Sequence, residues 1–338
     1  MKAVGFYEYL PIDHPESLLD VQVEAPTPAG RDLLVEVKAI SVNPVDTKRR
    51  AAGSRPSSEL KILGWDAAGV VQAIGPQAEL FKPGDKVYYA GSNQRPGANS
   101  QLHLVDERIV GHRPTNLSFP EAAALPLTTI TAWEAMFERM GISKSGADKG
   151  KRLLILGGAG GVGSIAIQLA KKLARLKVIA SASRPDSLAW VQALGADAAV
   201  DHSQPLPEQM AALGVPEVDY IFCCNNTEQV FSALPRLIAP QGRICSIVRM
   251  AKPVDLSLLQ EKSASFSWEG MFTRSTFQTP DMQAQHELLE DAAGLLEAGA
   301  LVTTLRANLG RICAENLKDA HRRIEQGHMI GKLVLEGF

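Results

Sequence analysis

Gly158, Gly160 and Gly163 stand at the spacing G-x-G-x-x-G in the run Gly157-Gly158-Ala159-Gly160-Gly161-Val162-Gly163-Ser164. At that spacing one glycine allows a tight turn, the next lets backbone approach a pyrophosphate, and the third lets a helix pack closely on a strand. Gly161 and Val162 lie between them, where a helix would open with free N–H groups and the positive end of its dipole. The chemistry is the grip of a dinucleotide's phosphates, and the alternative is a glycine-rich turn with no ligand. The flanking elements favour the first. Leu153-Leu154-Ile155-Leu156 reads as a buried parallel strand. Val162, Ala166, Leu169, Ala170 and Leu173 share one helical face, with Lys171, Lys172 and Arg175 off it. Val178-Ile179-Ala180 supplies a second strand, which completes a βαβ unit.

The end of that second strand selects the cofactor. An NAD site usually places Asp or Glu about twenty residues past the first glycine, on the ribose 2′-hydroxyl. Here the chain reads Ser181-Ala182-Ser183-Arg184-Pro185, and the first acid, Asp186, follows the arginine. A carboxylate repels a 2′-phosphate, whereas a guanidinium with neighbouring hydroxyls binds it by charge-assisted hydrogen bonds. Ser183 and Arg184 therefore point to NADP(H). Read otherwise, Arg184 is a solvated charge before a proline-initiated helix.

Composition narrows the function classes. The 338 residues suggest about two domains. Lys plus Arg number 35 against 37 for Asp plus Glu, so no basic excess calls for nucleic acid or an anionic membrane. No apolar run has membrane-spanning length, and Met1-Lys2-Ala3-Val4-Gly5-Phe6-Tyr7-Glu8 lacks a signal-peptide core. Four cysteines in so long a chain make no disulfide framework. A cytoplasmic protein is expected.

Organisation changes along the chain. Val35, Val37 and Ala39 alternate with Glu36 and Lys38, as in a half-exposed strand, and Lys82-Pro83-Gly84-Asp85 is a turn before strand-like Val87-Tyr88-Tyr89. Helices begin near Pro120. After the first βαβ, further strands are expected at Ala198–Val200, Val218–Phe222 and Gly242–Ile247, with a sixth at Ser263–Ser267. A helix from about Met282 to Glu297 is expected to close the wound sheet. A last helix ends at Gly327, and the strand Lys332-Leu333-Val334-Leu335 returns to the first domain.

This order of parts resembles the medium-chain dehydrogenase/reductase superfamily, and within it the quinone oxidoreductase branch of zinc-type alcohol dehydrogenase-like proteins. The resemblance rests on Ser41-Val42-Asn43-Pro44-Val45-Asp46, Gly64-Trp65-Asp66-Ala67-Ala68-Gly69-Val70-Val71, Pro126-Leu127-Thr128-Thr129-Ile130-Thr131-Ala132-Trp133-Glu134-Ala135, the glycine run, Ser183-Arg184-Pro185 and Phe272-Thr273-Arg274. It implies an α/β protein: a GroES-like, β-rich catalytic domain over residues 1–122 and 298–338, and a Rossmann doubly wound parallel sheet over 123–297. It also implies cofactor binding between the domains and a homodimer.

The resemblance matches the zinc ligands of alcohol dehydrogenases to Asn43, Trp65 and Leu127, none of them a competent ligand except, weakly, an amide oxygen. The region near 90–112 has no cysteine for a structural zinc; the four are Cys223, Cys224, Cys245 and Cys313. No metal is expected. Without a Lewis acid an alcohol is hard to oxidise, while hydride addition to a quinone or enone needs only hydrogen-bond donors for the developing oxyanion. The reading is an NADPH-dependent quinone or enone reductase, with a zinc alcohol dehydrogenase or a low-turnover NADPH-binding sensor or structural protein as alternatives.

Pocket candidates are Asn43, to orient nicotinamide or a substrate carbonyl; Lys48, as donor; Trp65; and Thr128. Lys48 also reads as a surface charge in Thr47-Lys48-Arg49-Arg50, Trp65 as core, and Asp46 as a fold residue. From the resemblance come further cofactor contacts at His202, Asn225, Val248 and Lys332, each of which could equally be an ordinary loop residue.

Overall fold

The computed structural model describes residues 1–53 and 59–338. The chain divides into two compact units, Met1–Leu127 with Phe272–Phe338, and Thr128–Met271.

The first unit is built on the strand Asp32–Val42, whose alternation of apolar and polar residues gives the expected alternation of buried and half-buried positions. It pairs antiparallel with Asp66–Ile74 on one side and Lys332–Glu336 on the other. The register sets Leu333 opposite Val42 and Asp66 opposite Ser41, so the strand ends carrying Lys332, Asn43 and Asp66 meet at one end of the sheet. The helix Pro44–Ala51 starts directly after this strand, with proline at its first turn. Arg50 pins that helix: its guanidinium donates to the Leu10 carbonyl, to Glu325 and, at 3.3 Å, to His321 Nδ1. Burial, aided by the Arg50 charge, pushes the His321 imidazole down to about 3, which keeps it a neutral acceptor.

The second unit is a six-stranded sheet, parallel throughout. Its strands are Arg152–Leu156, Lys177–Ser181, Ala198–Val200, Val218–Cys223, Ile238–Ser246 and Ser265–Trp268, ordered 3-2-1-4-5-6 in space. This is the doubly wound order with a switch point beside the first strand. Leu154, Leu156, Ile179, Ile221 and Ile244 fill its core. The helix Gly161–Lys172 opens at the expected glycine but is buried on more than one face from Gly163 to Ala170, because Ile165 and Ile167 extend its apolar surface.

One element departs from expectation. The helix Ala284–Glu297 covers the first unit instead of closing the parallel sheet, and residues 272–297 belong with that unit. Tyr88 Oη donates to the Leu289 carbonyl at 2.6 Å, the His112 N–H to Glu290 at 2.7 Å, and Asn116 Nδ2 to the Leu296 carbonyl at 3.0 Å. An amphipathic repeat requires that its apolar face be covered, but does not say by which sheet.

Candidate active site

In the second unit the cofactor candidates line the carboxyl ends of consecutive strands, where ligands bind in doubly wound sheets. Gly157 turns with φ +85°, its N–H donating to Ser181 Oγ at 2.8 Å, while the Gly158 N–H donates to the Ser181 carbonyl at 3.0 Å. Gly160 caps the helix from extended backbone. Close packing explains Gly158: a Cβ there would lie 2.8 Å from Ala180 Cβ. Asn225 lies over Gly157, whose own Cβ would come within 2.9 Å of the Asn225 amide.

Beside this loop, Ser183 is half-buried and Arg184 caps the helix Pro185–Ala193, with reciprocal hydrogen bonds between its backbone and the Ser187 hydroxyl. Arg184 Nε lies 3.5 Å from Asp186 Oδ1, so a bound anion would compete with that carboxylate. His202 follows the third strand, and its Nδ1 is buried without a hydrogen-bond partner among the described residues. Val248 follows the fifth strand, its N–H donating to Ser246 Oγ at 3.2 Å. Thr128 is buried in the helix Pro126–Trp133.

A second set converges in the first unit. The Lys332 ammonium donates to Asn43 Oδ1, to Asp66 Oδ2 at 3.0 Å and to the Val42 carbonyl at 3.3 Å. Asn43 Nδ2 donates to the same Asp66 oxygen at 2.7 Å, and Asp66 Oδ1 accepts the Leu127 N–H at 2.7 Å. Asp46 accepts the N–H groups of Asn43 at 2.6 Å and Gly64 at 3.1 Å. Burial pushes Asp46 up to about 7 against those hydrogen bonds and the Lys332 charge, and burial likewise raises Asp66. Trp65 Nε1 donates to the Ser92 carbonyl at 3.1 Å, and its ring meets Phe272 edge-on with centroids 5.9 Å apart.

The structure therefore joins Asn43 and Lys332, sets Trp65 in the adjoining core, and leaves Lys48 on the exposed side of Pro44–Ala51, outside the cluster. Lys332 was expected to reach a cofactor, but its three donors are directed into the first unit, because the register of its strand places it beside Asn43. Asn43, expected to face nicotinamide or substrate, has its amide oxygen and one amide hydrogen engaged by Lys332 and Asp66.

Residues 29–128 match the family model for an alcohol dehydrogenase GroES-like domain, and residues 194–335 match one for a zinc-binding dehydrogenase. A zinc-type alcohol dehydrogenase-like protein of Staphylococcus aureus (strain MSSA476), SAS2087, is 44% identical over 336 residues, 99% of each chain. The chain belongs to the medium-chain dehydrogenase/reductase superfamily. Within it, the structure of a proposed zinc-dependent alcohol dehydrogenase from Rhizobium etli CFN 42 is 50% identical and superposes with a TM-score of 0.95, over 100% of this chain and 98% of that one. An Arabidopsis thaliana protein described as a chloroplastic NADPH-dependent alkenal/one oxidoreductase is 31% identical over 252 residues, 72% of this chain and 63% of that one.

The zinc in several of these descriptions can be tested on the donor set. Asn43 offers an amide already held by an ammonium, Trp65 a donor-only indole N–H, and Leu127 an alkyl chain. This superfamily member's residues at those positions do not fit a zinc ion, and among the described residues no group of three His, Cys, Asp or Glu could hold a metal.

Sequence reading assigned no polar role to Asp66. Its signal is an acid standing directly before the apolar run Ala67-Ala68-Gly69-Val70-Val71 in a strand, since a buried carboxylate needs a partner. The buried carboxyl pair Glu134 and Glu269 was also missed; Arg139 Nε donates to Glu269 Oε2 at 2.9 Å.

Proposed function

We propose that this protein is an NADPH-dependent reductase that delivers hydride to quinones or α,β-unsaturated carbonyl compounds without zinc, as a cytoplasmic homodimer. The observation that carries the reading is the Lys332 ammonium bound to Asn43, at a position that the resemblance matches to a zinc ligand. With no Lewis acid to acidify a hydroxyl, an already polarised double bond is the tractable acceptor. The description of the Arabidopsis relative agrees with that acceptor class and with NADPH.

When bound, the nicotinamide cofactor supplies the hydride. The N–H groups around Gly158, Gly160, Gly161, Val162 and Gly163 hold the diphosphate at a helix N-terminus. Ser183 and Arg184 hold the 2′-phosphate, with the open Nδ1 of His202 as a further contact. Asn225 and Val248 border the cofactor at the strand ends. Asn43 keeps a second Nδ2 hydrogen for an acceptor on nicotinamide or substrate. Thr128 serves as a hydrogen-bond donor to the reacting carbonyl and Trp65 as an apolar wall, while the exposed Lys48 is left out of the pocket.

The test is NADPH consumption with a panel of small quinones and enones, beside NADP reduction with primary and secondary alcohols. Reduction of the first group and no rate with the second is expected. Alcohol oxidation abolished by a chelator would replace this reading with a zinc alcohol dehydrogenase. Tight NADPH binding with no turnover on any acceptor would leave a cofactor-binding sensor.

A further inference from the structure

The polar cluster of the first unit has the form of a cation site whose cation is covalently attached. Val42 O, Asn43 Oδ1 and Asp66 Oδ2 converge on one point, and the Lys332 Nζ occupies it. All four residues are buried, Asp66 completely and Lys332 to within 3%. An ammonium has three hydrogens, and here each has an oxygen. A guanidinium spreads its donors in a plane, whereas these three acceptors surround a compact charge. The acceptors come from the ends of neighbouring strands and the lysine from a strand some 290 residues later in the chain. The sheet register, not local sequence, builds the site.

We propose that Lys332 is a positioning residue whose ammonium stands in for a metal ion, fixing the orientation of the Asn43 amide and tying Asp66 to the start of the helix Pro126–Trp133. Asn43 Oδ1 faces the ammonium and Nδ2 faces the Asp66 carboxylate, so charge at both ends selects one of the two amide orientations. The other oxygen of Asp66 takes the N–H of Leu127, the residue before Thr128. Withdrawing the ammonium leaves a buried carboxylate uncompensated and the amide free to turn. The proposal concerns what fills this site and stands whether or not the reductase reading does.

The test is rescue by an exogenous cation, read by thermal melting of the full chain. Lys332→Ala removes the equivalent of propylammonium beyond the Cβ. Its melting temperature is expected to fall, and to recover saturably with added propylammonium but not with tetramethylammonium at equal ionic strength. Lys332→Met fills the channel without charge, and is expected to melt low and not respond. If Lys332→Ala does not fold, Lys332→Met is paired with Asp66→Asn, and the double variant is expected to recover much of the melting temperature lost by Lys332→Met. Parent protein incubated with zinc and desalted is expected to retain less than one ion per chain. Rescue by any salt, strictly additive Lys332 and Asp66 effects, or stoichiometric zinc in the parent would each overturn the proposal.

Discussion

Gly163 packs so closely on Gly157 that a Cβ at Gly163 would lie 2.3 Å from the Gly157 carbonyl oxygen. The neighbour is backbone and cannot rotate away, so a methyl group must move the strand or the helix. Gly160 differs, having φ −70° and 3.6 Å from its would-be Cβ to the nearest atom. Gly163→Ala is expected to cost about 1–3 kcal/mol of stability, as overpacking does, and to weaken cofactor binding with it. Gly160→Ala is expected to melt near the parent while binding NADPH more weakly, because the methyl meets the ligand rather than the fold. Calorimetry beside cofactor titration separates the two, and equal behaviour would mean the loop does not face a phosphate.

Arg184→Ala is expected to weaken NADPH and spare NADH. A hydrogen bond to a charged group contributes about 1.5–3 kcal/mol, roughly ten- to a hundredfold in Kd. The Asp186 carboxylate 3.5 Å from Arg184 Nε adds a converse: Asp186→Asn is expected to tighten NADPH modestly. Ser183→Ala should repeat the selectivity at smaller size, and salt should reduce every effect at a partly exposed phosphate site. Fluorescence titration with both cofactors decides, and an equal loss for both would make Arg184 a support of the fold.

Glu269 gives the second unit a pH dependence. Burial, then the hydrogen bond and charge of Glu134, push it up to about 9 from 4.5, while Arg139 pulls the other way. Arg139 also lies 3.9 Å from Glu138, and the Glu269 charge acts on the buried Cys245 thiol. Between about 4.5 and about 9 the folded chain thus keeps a proton that the unfolded chain has already released. This contribution to stability is whole below 4.5, is lost as pH rises through that window and changes no further above 9. Glu269→Gln carries no such proton, so its stability relative to the parent is expected to rise steadily from pH 5 to 9 in denaturant titrations. Parallel curves would show that the carboxyl pair holds no proton.

Gly294 sits exposed in the last turn of the helix Ala284–Glu297, with nothing within 4 Å of a would-be Cβ. Gly294→Ala is expected to stabilise the chain by about 0.5–1 kcal/mol through the lower backbone entropy of the unfolded state. A rise in melting temperature with unchanged cofactor affinity is the expected readout.

What could be read in the sequence was local. The glycine loop, its strand and its helix lie within about thirty residues, and their order follows from hydrophobic period and glycine spacing alone. The position of Arg184 was legible for the same reason, since it follows the end of the next strand. The Lys332–Asp66 contact spans 266 residues and depends on the pairing of three strands, so no window of sequence contains it. The helix Ala284–Glu297 shows the converse limit. The helix itself was legible, but the choice between two sheets lay in Tyr88, His112 and Asn116, far away in the chain.

The pairing of Lys332–Glu336 with Asp32–Val42 also sets an order of events during synthesis. The unit Thr128–Met271 is one continuous segment and leaves the ribosome with every strand of its sheet. Met1–Leu127 of the other unit emerges first, with Asp32–Val42 able to pair with Asp66–Ile74, but the Ala39–Val42 end of that strand lacks its second partner until residues beyond 331 are made. Domains fold as units during translation. Here the earlier-made half must wait for the later one, with the Ala39–Val42 end of that strand's edge open while the parallel sheet is already complete. A translating chain would therefore carry a finished parallel sheet beside a β-rich half with a short open edge, the kind of edge that invites mispairing.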